Sequence, residues 1–372
     1  MKKNTIKGLL SIAMVTIMGV SMVACGSNNT ASAQQGIDLN SMTLKEIEEK
    51  AKEEGEINSA AMPDTWANWE ETWNEIEGNY SIKQTDVDMT SAEEISLFES
   101  EGKNATKDIG DVGMTFGPIA EAKGLTLKYK TSYWNEIPDW AKDDDGDWIV
   151  GYYGTISILT NTNNVKEPPK SFEDLLNGHF IVSVGDVTKA SQAQNAVLAT
   201  AIAFGGDESN LQPAYDFYKK LAEEGRLDKG ELNISRLEKG EVDVALLWDF
   251  NELGYKDQIT KNNPDMKFEV HIPKEASISA GYSTILNIYA EHPYSAALAR
   301  EYILSDEGQI NLAKGFAKPI RENVELPEEV KVKMVDDSEY ANTRIVQDAE
   351  AWEESTKNIA SEWQENVLFY AK

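Results

Sequence analysis

A run of fourteen residues, 148–161, constrains the fold of this chain more than any other feature. It reads Trp-Ile-Val-Gly-Tyr-Tyr-Gly-Thr-Ile-Ser-Ile-Leu-Thr-Asn and is rich in β-branched and aromatic side chains, which favour strands. At about 3.3 Å per residue the strand would be more than about 40 Å long, too long for one strand within one sheet. We therefore predict that it leaves one lobe of the protein and enters a second.

The length of the chain also favours two lobes. From Ile37 onward about 335 residues remain, more than one hydrophobic core usually holds. Helix and strand patterns alternate on both sides of the long run, which predicts parallel strands and an α/β fold class. We predict lobe 1 from residues 37–153 and 282–326, lobe 2 from 154–281, and C-terminal helices over 327–372. Two crossings imply a two-strand hinge and a ligand cleft between the lobes.

Local patterns place individual elements. The predicted helices are 44–54, 65–77, 91–101, 118–123, 172–176, 191–204, 213–224 and 234–239. The predicted strands are 56–61, 80–85, 108–113, 148–161, 180–184, 242–248, 267–273 and 282–289. Ser91, with Glu94 three residues later, is predicted to form the capping box of the third helix. Ligand groups of such lobes lie at the carboxyl ends of the strands.

The amino terminus has the pattern of an export signal. Three lysines within the first seven residues precede an apolar stretch, and Cys25, the single cysteine of the chain, follows it. One thiol cannot form an internal disulfide, and its position resembles the lipobox of bacterial lipoproteins, with Met22 where Leu is usual. We predict a signal peptide over 1–24, a lipid on Cys25 and a flexible tether over 25–36. A transmembrane anchor or an ordinary cleaved signal is the alternative.

The charge of the chain limits its partners. It has 35 basic and 64 acidic residues, a formal net charge of −29. Such a surface repels nucleic acid, because binding depends on cationic side chains that neutralise the phosphates. We therefore predict no nucleic-acid partner. The same charge suits a cationic solute. The alternative is an acidic surface that only keeps the protein soluble, which would give the same composition.

Three blocks, 165–176, 237–248 and 296–309, resemble extracellular solute-binding proteins of bacterial ABC importers. The similarity is to the type II group, which includes polyamine, ferric-ion, thiamine, phosphonate and sugar-phosphate binders. The resemblance implies a receptor, anchored by its lipid at the extracytoplasmic face of the cell membrane, that passes a small polar solute to permease subunits. We expect a monomer without a cofactor and without catalytic residues.

The resemblance also implies that loops after the strands contact the solute. Matching loops of this chain supply carboxyl, aromatic, hydroxyl and guanidinium groups. The candidate contacts are Asp64, Trp66, Asp111, Thr115, Phe116, Asp186, Ser191, Trp248, Asp249, Tyr282 and Arg321.

These side chains point to more than one ligand chemistry. Trp248 beside Asp249 offers an alkyl-ammonium both a π face and a counter-charge. Amides near Ser191 would instead hold a phosphate, and Arg321 suits a phosphate or an acidic neighbour such as Asp64 or Asp249. We favour a polyamine or a similar cationic amine over a phosphorylated, phosphonate or ferric solute. A cell-surface hydrolase is a further alternative.

The sequence contains no pattern that predicts a resident metal site. The acidic run 143–147 suggests calcium, but an EF-hand register with Gly146 at the glycine position puts the first and twelfth ligands on Ala141 and Tyr152. The three histidines are far apart in sequence, which gives zinc no support. We predict that 143–147 is a solvated turn.

Overall fold

The computed structural model describes residues 36–230 and 232–372. The predicted signal peptide, the lipidation site Cys25 and all but the last residue of the predicted tether lie outside the described residues. Within the described part of the chain, no helix combines the length and the apolar character needed to cross a membrane.

The first part of the chain alternates helices and strands, as predicted. Its elements are α1 (Leu44–Glu54), β1 (Glu56–Ala60), α2 (Trp69–Tyr80), β2 (Lys83–Val87), α3 (Ser91–Glu101), β3 (Ile109–Gly113), α4 (Phe116–Ala122) and β4 (Trp148–Asn161). β1 pairs in parallel with both β2 and β3. The carboxyl ends of these three strands therefore lie at one edge of lobe 1.

The second lobe follows β4. Its elements are α5 (Phe172–Asn177), β5 (Val182–Ser183), α6 (Ser191–Ala203), α7 (Gln212–Glu223), α8 (Ile234–Glu238), β6 (Val244–Trp248), α9 (Asp249–Asn262) and β7 (Phe268–His271). The return and the C-terminal segment are β8 (Ser277–Leu286), α10 (Pro293–Ile303), α11 (Asp306–Lys314), β9 (Lys318–Pro319), α12 (Glu328–Lys331), β10 (Thr343–Arg344) and α13 (Ala349–Asn366).

Two antiparallel strands, β4 and β8, connect the lobes. The strand order is β2-β1-β3-β8-β4-β6-β5, so the hydrogen-bonded path continues from one lobe into the other. Pairing of β4 with β8 ends at Thr155 opposite Ser279, and pairing of β4 with β6 begins at Ile156 opposite Trp248. β4 has the predicted bounds, and the predicted two-strand connection is confirmed. The returning strand starts at Ser277, earlier than predicted.

The amino end of α3 differs from its prediction by one residue. Thr90 is the N-cap: its hydroxyl accepts from the Glu93 amide, and the Glu93 carboxylate accepts from the Thr90 amide. The hydroxyl of Ser91 instead accepts from the Gly113 amide at 3.0 Å, and Glu94 is fully buried. The stretch Thr-Ser-Ala-Glu-Glu fits the capping motif in two registers, and the predicted register was wrong.

The C-terminal segment, residues 337–372, packs on lobe 2. Arg344 donates to both carboxylate oxygens of Glu208, at 2.6 and 3.0 Å. The Trp363 ring of α13 lies edge-on to Tyr218 of α7, with 5.0 Å between centroids. The sequence left open which lobe these residues contact. Because β9 pairs with β4 and β10 pairs with β8, the chain returns to lobe 2 after α11 and passes between the lobes a third time.

Candidate functional site

A cleft of about 410 Å³ lies between the lobes, next to the carboxyl ends of β1, β2 and β3 and the amino ends of α6 and α9. We call it the inner compartment. Lobe 1 supplies Ala61, Pro63, Thr65, Trp66, Asp88, Met89, Thr90, Ser91, Glu93 and Asp111. β8 and lobe 2 supply Tyr282, Ala190, Ser191, Gln192, Asn251 and Tyr255.

A hydrogen-bonded chain orients Asp111 at the inner compartment. Trp66 Nε1 donates to the Tyr152 hydroxyl at 2.6 Å, and that hydroxyl donates to Asp111 Oδ2 at 2.6 Å. Asp111 is 2% exposed, and its Oδ1 has no hydrogen-bond partner among the described residues. Burial raises the pKa of Asp111 well above its usual range, although the Tyr152 hydroxyl lowers it. Such an oxygen gains most when a ligand supplies a donor.

Aromatic rings surround this carboxyl group. The Trp66 ring lies edge-on to Tyr282 at 5.4 Å and to Phe250 at 5.3 Å. Tyr282 stacks on Tyr152 at 5.5 Å, and its hydroxyl accepts from Trp248 Nε1 at 3.1 Å. Trp66 and Tyr282 line the inner compartment, so aromatic surface and a carboxyl group meet there. This combination suits a cation.

The loop between β1 and α2 presents Trp66 to the compartment. Ala61, Ala67 and Asn68 have φ values of 58°, 47° and 60°, in the left-handed region. This conformation costs non-glycine residues of order 1–3 kcal/mol each and persists where surrounding structure enforces it. The predicted helix 65–77 is therefore wrong at its start, because these residues interrupt it and α2 begins at Trp69.

Two further carboxyl groups, Asp88 and Glu93, line the lobe 1 wall. Desolvation raises the pKa of Asp88, and the nearby Asp86 raises it further. Hydrogen bonds from the Thr90 amide and hydroxyl lower the pKa of Glu93. Among the described residues that line the inner compartment there is no Lys, Arg or His. Neither Asp88 nor Glu93 was among the predicted contacts. The predicted strand ended at residue 85, so the position of Asp88 directly after β2 was not recognised.

The lobe 2 wall is polar and neutral. Gln192 Oε1 accepts from the Trp248 amide at 2.9 Å and from Asn251 Nδ2 at 3.0 Å. Ser191 is the first residue of α6, so amides of that helix also lie at this wall. Gln192 and Asn251 were missed as well. Both lie in the first turn of a helix that follows a strand, and this position could have predicted that they line the cleft.

Residues of the two lobes come close together at two points across the cleft. Lys189 Nζ of lobe 2 lies 4.0 Å from Glu93 of lobe 1. Gly113 at the end of β3 lies against Ser191: a Cβ on this glycine would be 2.7 Å from Ser191 Cβ, and closer still to its Oγ. Real Cβ atoms do not approach so closely, so this closed arrangement requires glycine at 113.

A larger space of about 710 Å³ continues from the inner compartment, and we call it the outer compartment. Both are lined by Trp66, Thr90, Glu93, Ala190, Gln192, Asn251 and Tyr255. The outer compartment extends along lobe 2 past the loop that carries Asp186 and reaches Trp363 and Leu368 of the C-terminal segment.

The eleven predicted contacts separate into groups. Trp66, Asp111, Ser191 and Tyr282 line the inner compartment, and Asp186 lines the outer one, where its carboxylate accepts from the Thr188 amide and hydroxyl. The remaining six line neither compartment: Asp64, Thr115, Phe116, Trp248, Asp249 and Arg321.

Trp248 and Asp249 lie behind the cleft. α9 begins at Asp249, directly after β6 ends at Trp248, where a loop was predicted. Asp249 is 2% exposed: its Oδ1 accepts from the Thr155 and Phe250 amides, and its Oδ2 accepts from the Tyr340 hydroxyl at 2.6 Å. Burial raises the pKa of this carboxyl group. Candidate contacts were expected in loops, but Tyr282 lies within β8, because this strand begins at Ser277 and not at 282 as predicted.

Asp64 is exposed, and Thr115 and Phe116 border a separate small cavity between α4 and α13. Arg321 is 4% exposed and pairs with carboxylates, but these belong to Glu136 and Asp306, both at 2.7 Å, rather than to Asp64 or Asp249.

Glu121, Asp143 and Asp147 bring carboxyl oxygens within 4.8 Å of one another, near the acidic run 143–147. Protein groups already contact Asp147: Thr126 donates at 2.5 Å, and Lys128 Nζ lies at 3.4 Å. These residues line neither compartment of the cleft.

Comparisons with known proteins agree with this architecture. A family described as bacterial extracellular solute-binding proteins matches residues 104–343. No curated protein matches the sequence. The periplasmic binding protein AfuA from Actinobacillus pleuropneumoniae, solved with exogenous fructose 6-phosphate, is similar with a TM-score of 0.68 and 17% identity, over 84% of this chain and 98% of its own.

Two further solved structures share the fold. A periplasmic thiamin binding protein has a TM-score of 0.68 and 18% identity, over 84% of this chain and 96% of its own. A ferric binding protein from Campylobacter jejuni has a TM-score of 0.64 and 20% identity, over 83% and 99%. The family match covers more than half of this chain, so the function is solute capture for transport and not catalysis. The chain belongs to the bacterial extracellular solute-binding proteins, with the two-lobed type II fold, and serves as the solute-binding component of an ABC transporter.

Proposed function

We propose that this receptor captures a small cationic amine, with the polyamines as the first class to test, and delivers it to the permease subunits of an ABC importer. We further propose that it acts as a monomer held at the outer face of the cell membrane by a lipid on Cys25. One observation carries the choice of solute: the inner compartment is lined by Asp88, Glu93 and Asp111 and, among the described residues, by no cationic side chain.

The chemistry of the inner compartment fits an ammonium group. Asp111 Oδ1 has no partner in the described structure, and an ammonium would supply a charge-assisted hydrogen bond to it. Trp66 and Tyr282 would contact the cation and its methylene groups. Ionised acids at the wall also raise the local concentration of a cation and speed its association.

Closure of the lobes would make this binding selective. A solute in the inner compartment touches the carboxyl wall of lobe 1 and the Gln192 and Asn251 wall of lobe 2 together. Contacts from both sides favour the closed state, which is the shape that a permease would recognise. The paired strands β4 and β8 supply the connection about which the lobes would move.

A phosphorylated or phosphonate solute has less support. Ser191 at the amino end of α6 lines the compartment, but Arg321, the predicted anion partner, does not. The carboxylate of Glu93, whose pKa the Thr90 hydrogen bonds lower, lines the same space and would repel a phosphate. Ferric-binding members of the type II group use a pair of neighbouring tyrosines. The two tyrosines among the described lining residues, Tyr255 in α9 and Tyr282 in β8, belong to different elements and are not such a pair.

Titration calorimetry with putrescine, spermidine and fructose 6-phosphate tests the proposal. We expect heat and a raised melting temperature with the amines only. Asp111→Asn should weaken amine binding at least about 30-fold, because it removes the charge from a desolvated pair. Asp64→Asn is the matched control, since Asp64 is exposed and outside the compartment, and should change affinity less than about twofold. Binding of the sugar phosphate without binding of any amine would contradict the proposal.

The anchor has a separate test. Cys25→Ser removes the thiol that would carry the lipid, so the protein should move from the membrane fraction to the soluble fraction of expressing cells. An unchanged membrane fraction after this substitution would contradict lipid anchoring but not solute capture.

A further inference from the structure

Glu93 lies where the two compartments meet. It belongs to lobe 1 and lines both of them. The lobe 2 loop that carries Asp186 and Lys189 lines the outer compartment as well, and Lys189 Nζ lies 4.0 Å from the Glu93 carboxylate. An ammonium group of the protein itself therefore lies beside the acid that both compartments share.

The pair of Lys189 with Glu93 is weak. Its separation of 4.0 Å is long for an ion pair, and the two side chains are 57% and 55% exposed. Water screens such a pair, which therefore contributes little to stability. The backbone of Lys189 is held separately, because its amide donates to the Asp186 carbonyl at 3.2 Å. The lysine side chain can therefore leave Glu93 without a change in the loop.

Asp186 leaves a carboxylate oxygen available in the same compartment. Both bonds from Thr188 end on Asp186 Oδ1, at 2.9 Å from the amide and 2.6 Å from the hydroxyl, and no described residue bonds Oδ2. Asp186 also acts on Glu93 across the cleft: hydrogen bonds from Thr90 lower the pKa of Glu93 most, Lys189 lowers it further, and Asp186 raises it. Two acids from opposite lobes thus lie within electrostatic reach of each other.

The inner compartment already accounts for one ammonium group, since the buried Asp111 leaves its Oδ1 without a partner among the described residues. We infer that Lys189 is a built-in competitor of the solute: a second ammonium group of the solute displaces it from Glu93 and pairs with Glu93 and Asp186 together. The charge of Lys189 thus limits how strongly the receptor prefers a diamine or longer polyamine over a monoamine. This inference rests on the proposed function, since it takes the amine site as given and assigns the residues that receive the second charge.

The exchange favours closure of the lobes. Glu93 belongs to lobe 1 and Asp186 to lobe 2, so their like charges oppose the approach of the two walls. A cation between them removes this repulsion, and it contacts both acids only when the lobes are close together. A diamine would therefore stabilise the closed state at two places, at Asp111 and between Glu93 and Asp186.

Titration calorimetry on the full protein tests the inference with 1,4-diaminobutane, 1,6-diaminohexane and 1,8-diaminooctane against butylamine, hexylamine and octylamine. At the length that reaches both sites, the diamine should bind at least about tenfold more tightly than the monoamine of equal length. Lys189→Met keeps an unbranched side chain without the charge. It should tighten binding of that diamine about twofold to fivefold and change the monoamine less than about twofold. Weaker diamine binding in Lys189→Met would overturn the inference, because the lysine would then assist binding instead of competing.

Lys229→Met is the matched control, since Lys229 lines the same compartment but its Nζ donates to the Lys372 carbonyl at 3.0 Å. It should change diamine affinity less than about twofold. A gain equal to that of Lys189→Met would overturn displacement, because any lost positive charge would then suffice.

A second variant isolates the exchange at Glu93. Glu93→Gln keeps a side chain that can complete the capping box of α3, and in this background Lys189→Met should give no further gain. An undiminished gain would overturn the inference. Monoamines that bind as tightly as every diamine would also overturn it and leave the amine site intact. If none of these amines binds, the proposed function fails and the inference fails with it.

Discussion

The two walls of the inner compartment differ in charge and in construction. The lobe 1 wall carries Asp88, Glu93 and Asp111, whereas the lobe 2 wall carries the neutral groups of Ser191, Gln192 and Asn251. On the lobe 1 side a chain of hydrogen bonds fixes the carboxyl group before any solute arrives. The difference indicates a division of labour, in which lobe 1 sets the charge of the solute and lobe 2 closes over it.

Removal of the Trp66 ring should have the largest effect on this division. Trp66→Ala deletes a cation–π partner worth up to about 2 kcal/mol when desolvated, together with the donor that orients Tyr152 and Asp111. We expect at least about 30-fold weaker amine binding by calorimetry. On the opposite wall, Gln192→Ala should cost less than about fivefold, because Gln192 carries no charge. Equal losses for both variants would contradict the division between the lobes.

Closure can be tested separately from the chemistry of the walls. In Gly113→Ala the new methyl group would overlap Ser191, so the lobes should stop short of full closure. We expect about tenfold weaker binding and a larger radius of gyration with solute, measured by X-ray scattering. Adding Ser191→Gly removes the clash and should restore both values. Gly78→Ala is the control, because its Cβ would meet nothing within 4 Å. Lack of recovery in the double variant would show that closure does not depend on this contact.

Acidification should weaken amine binding and the attachment of the C-terminal segment in different pH ranges. Burial raises the pKa of Asp111, so amine binding, which favours the ionised carboxylate, should release a proton and weaken as the pH falls. Burial would also raise the pKa of Glu208, but Arg344 and the Gln347 amide lower it to about 2. The stability that Glu208 contributes is therefore present above its unfolded pKa near 4.5 and is lost only as the pH falls through about 2.

Calorimetry in two buffers of different ionisation enthalpy measures the released proton. Thermal melts at the same pH values follow the Glu208–Arg344 contact, with Glu208→Gln as its control. Between neutral pH and 4.5 we expect amine affinity to fall in wild type and in Glu208→Gln alike. Affinity that rises on acidification would contradict an amine bound by Asp111.

The sequence predicted the lobes better than the cleft, for a physical reason. The run 148–161 is longer than one ordinary strand, and this length alone requires a crossing. Side-chain roles depend instead on small shifts in register. Asp88 was missed because the predicted strand ended at residue 85, whereas β2 extends to Val87. Asp249 was selected because a loop was expected after β6, whereas α9 begins there directly. The contact of Trp66 with Tyr152 joins residues far apart in sequence, so no local pattern contains it.

Arg321 shows the same limit and gives the smallest predicted effect on binding. Its side chain lies on the ring of Tyr133 at 4.2 Å and pairs with Glu136 and Asp306, all within lobe 1 and outside the cleft. Arg321→Ala should therefore change amine affinity less than about twofold. It should lower the melting temperature by several degrees, because it leaves carboxylates and a backbone carbonyl of Leu304 without their donor. Arg321→Lys should recover only part of that stability, because an ammonium group lacks the planar fork of donors with which the guanidinium group binds Glu136 and Asp306 at the same time. If Arg321→Ala abolished binding at unchanged stability, Arg321 would belong to the solute site, and an anionic solute would replace the amine.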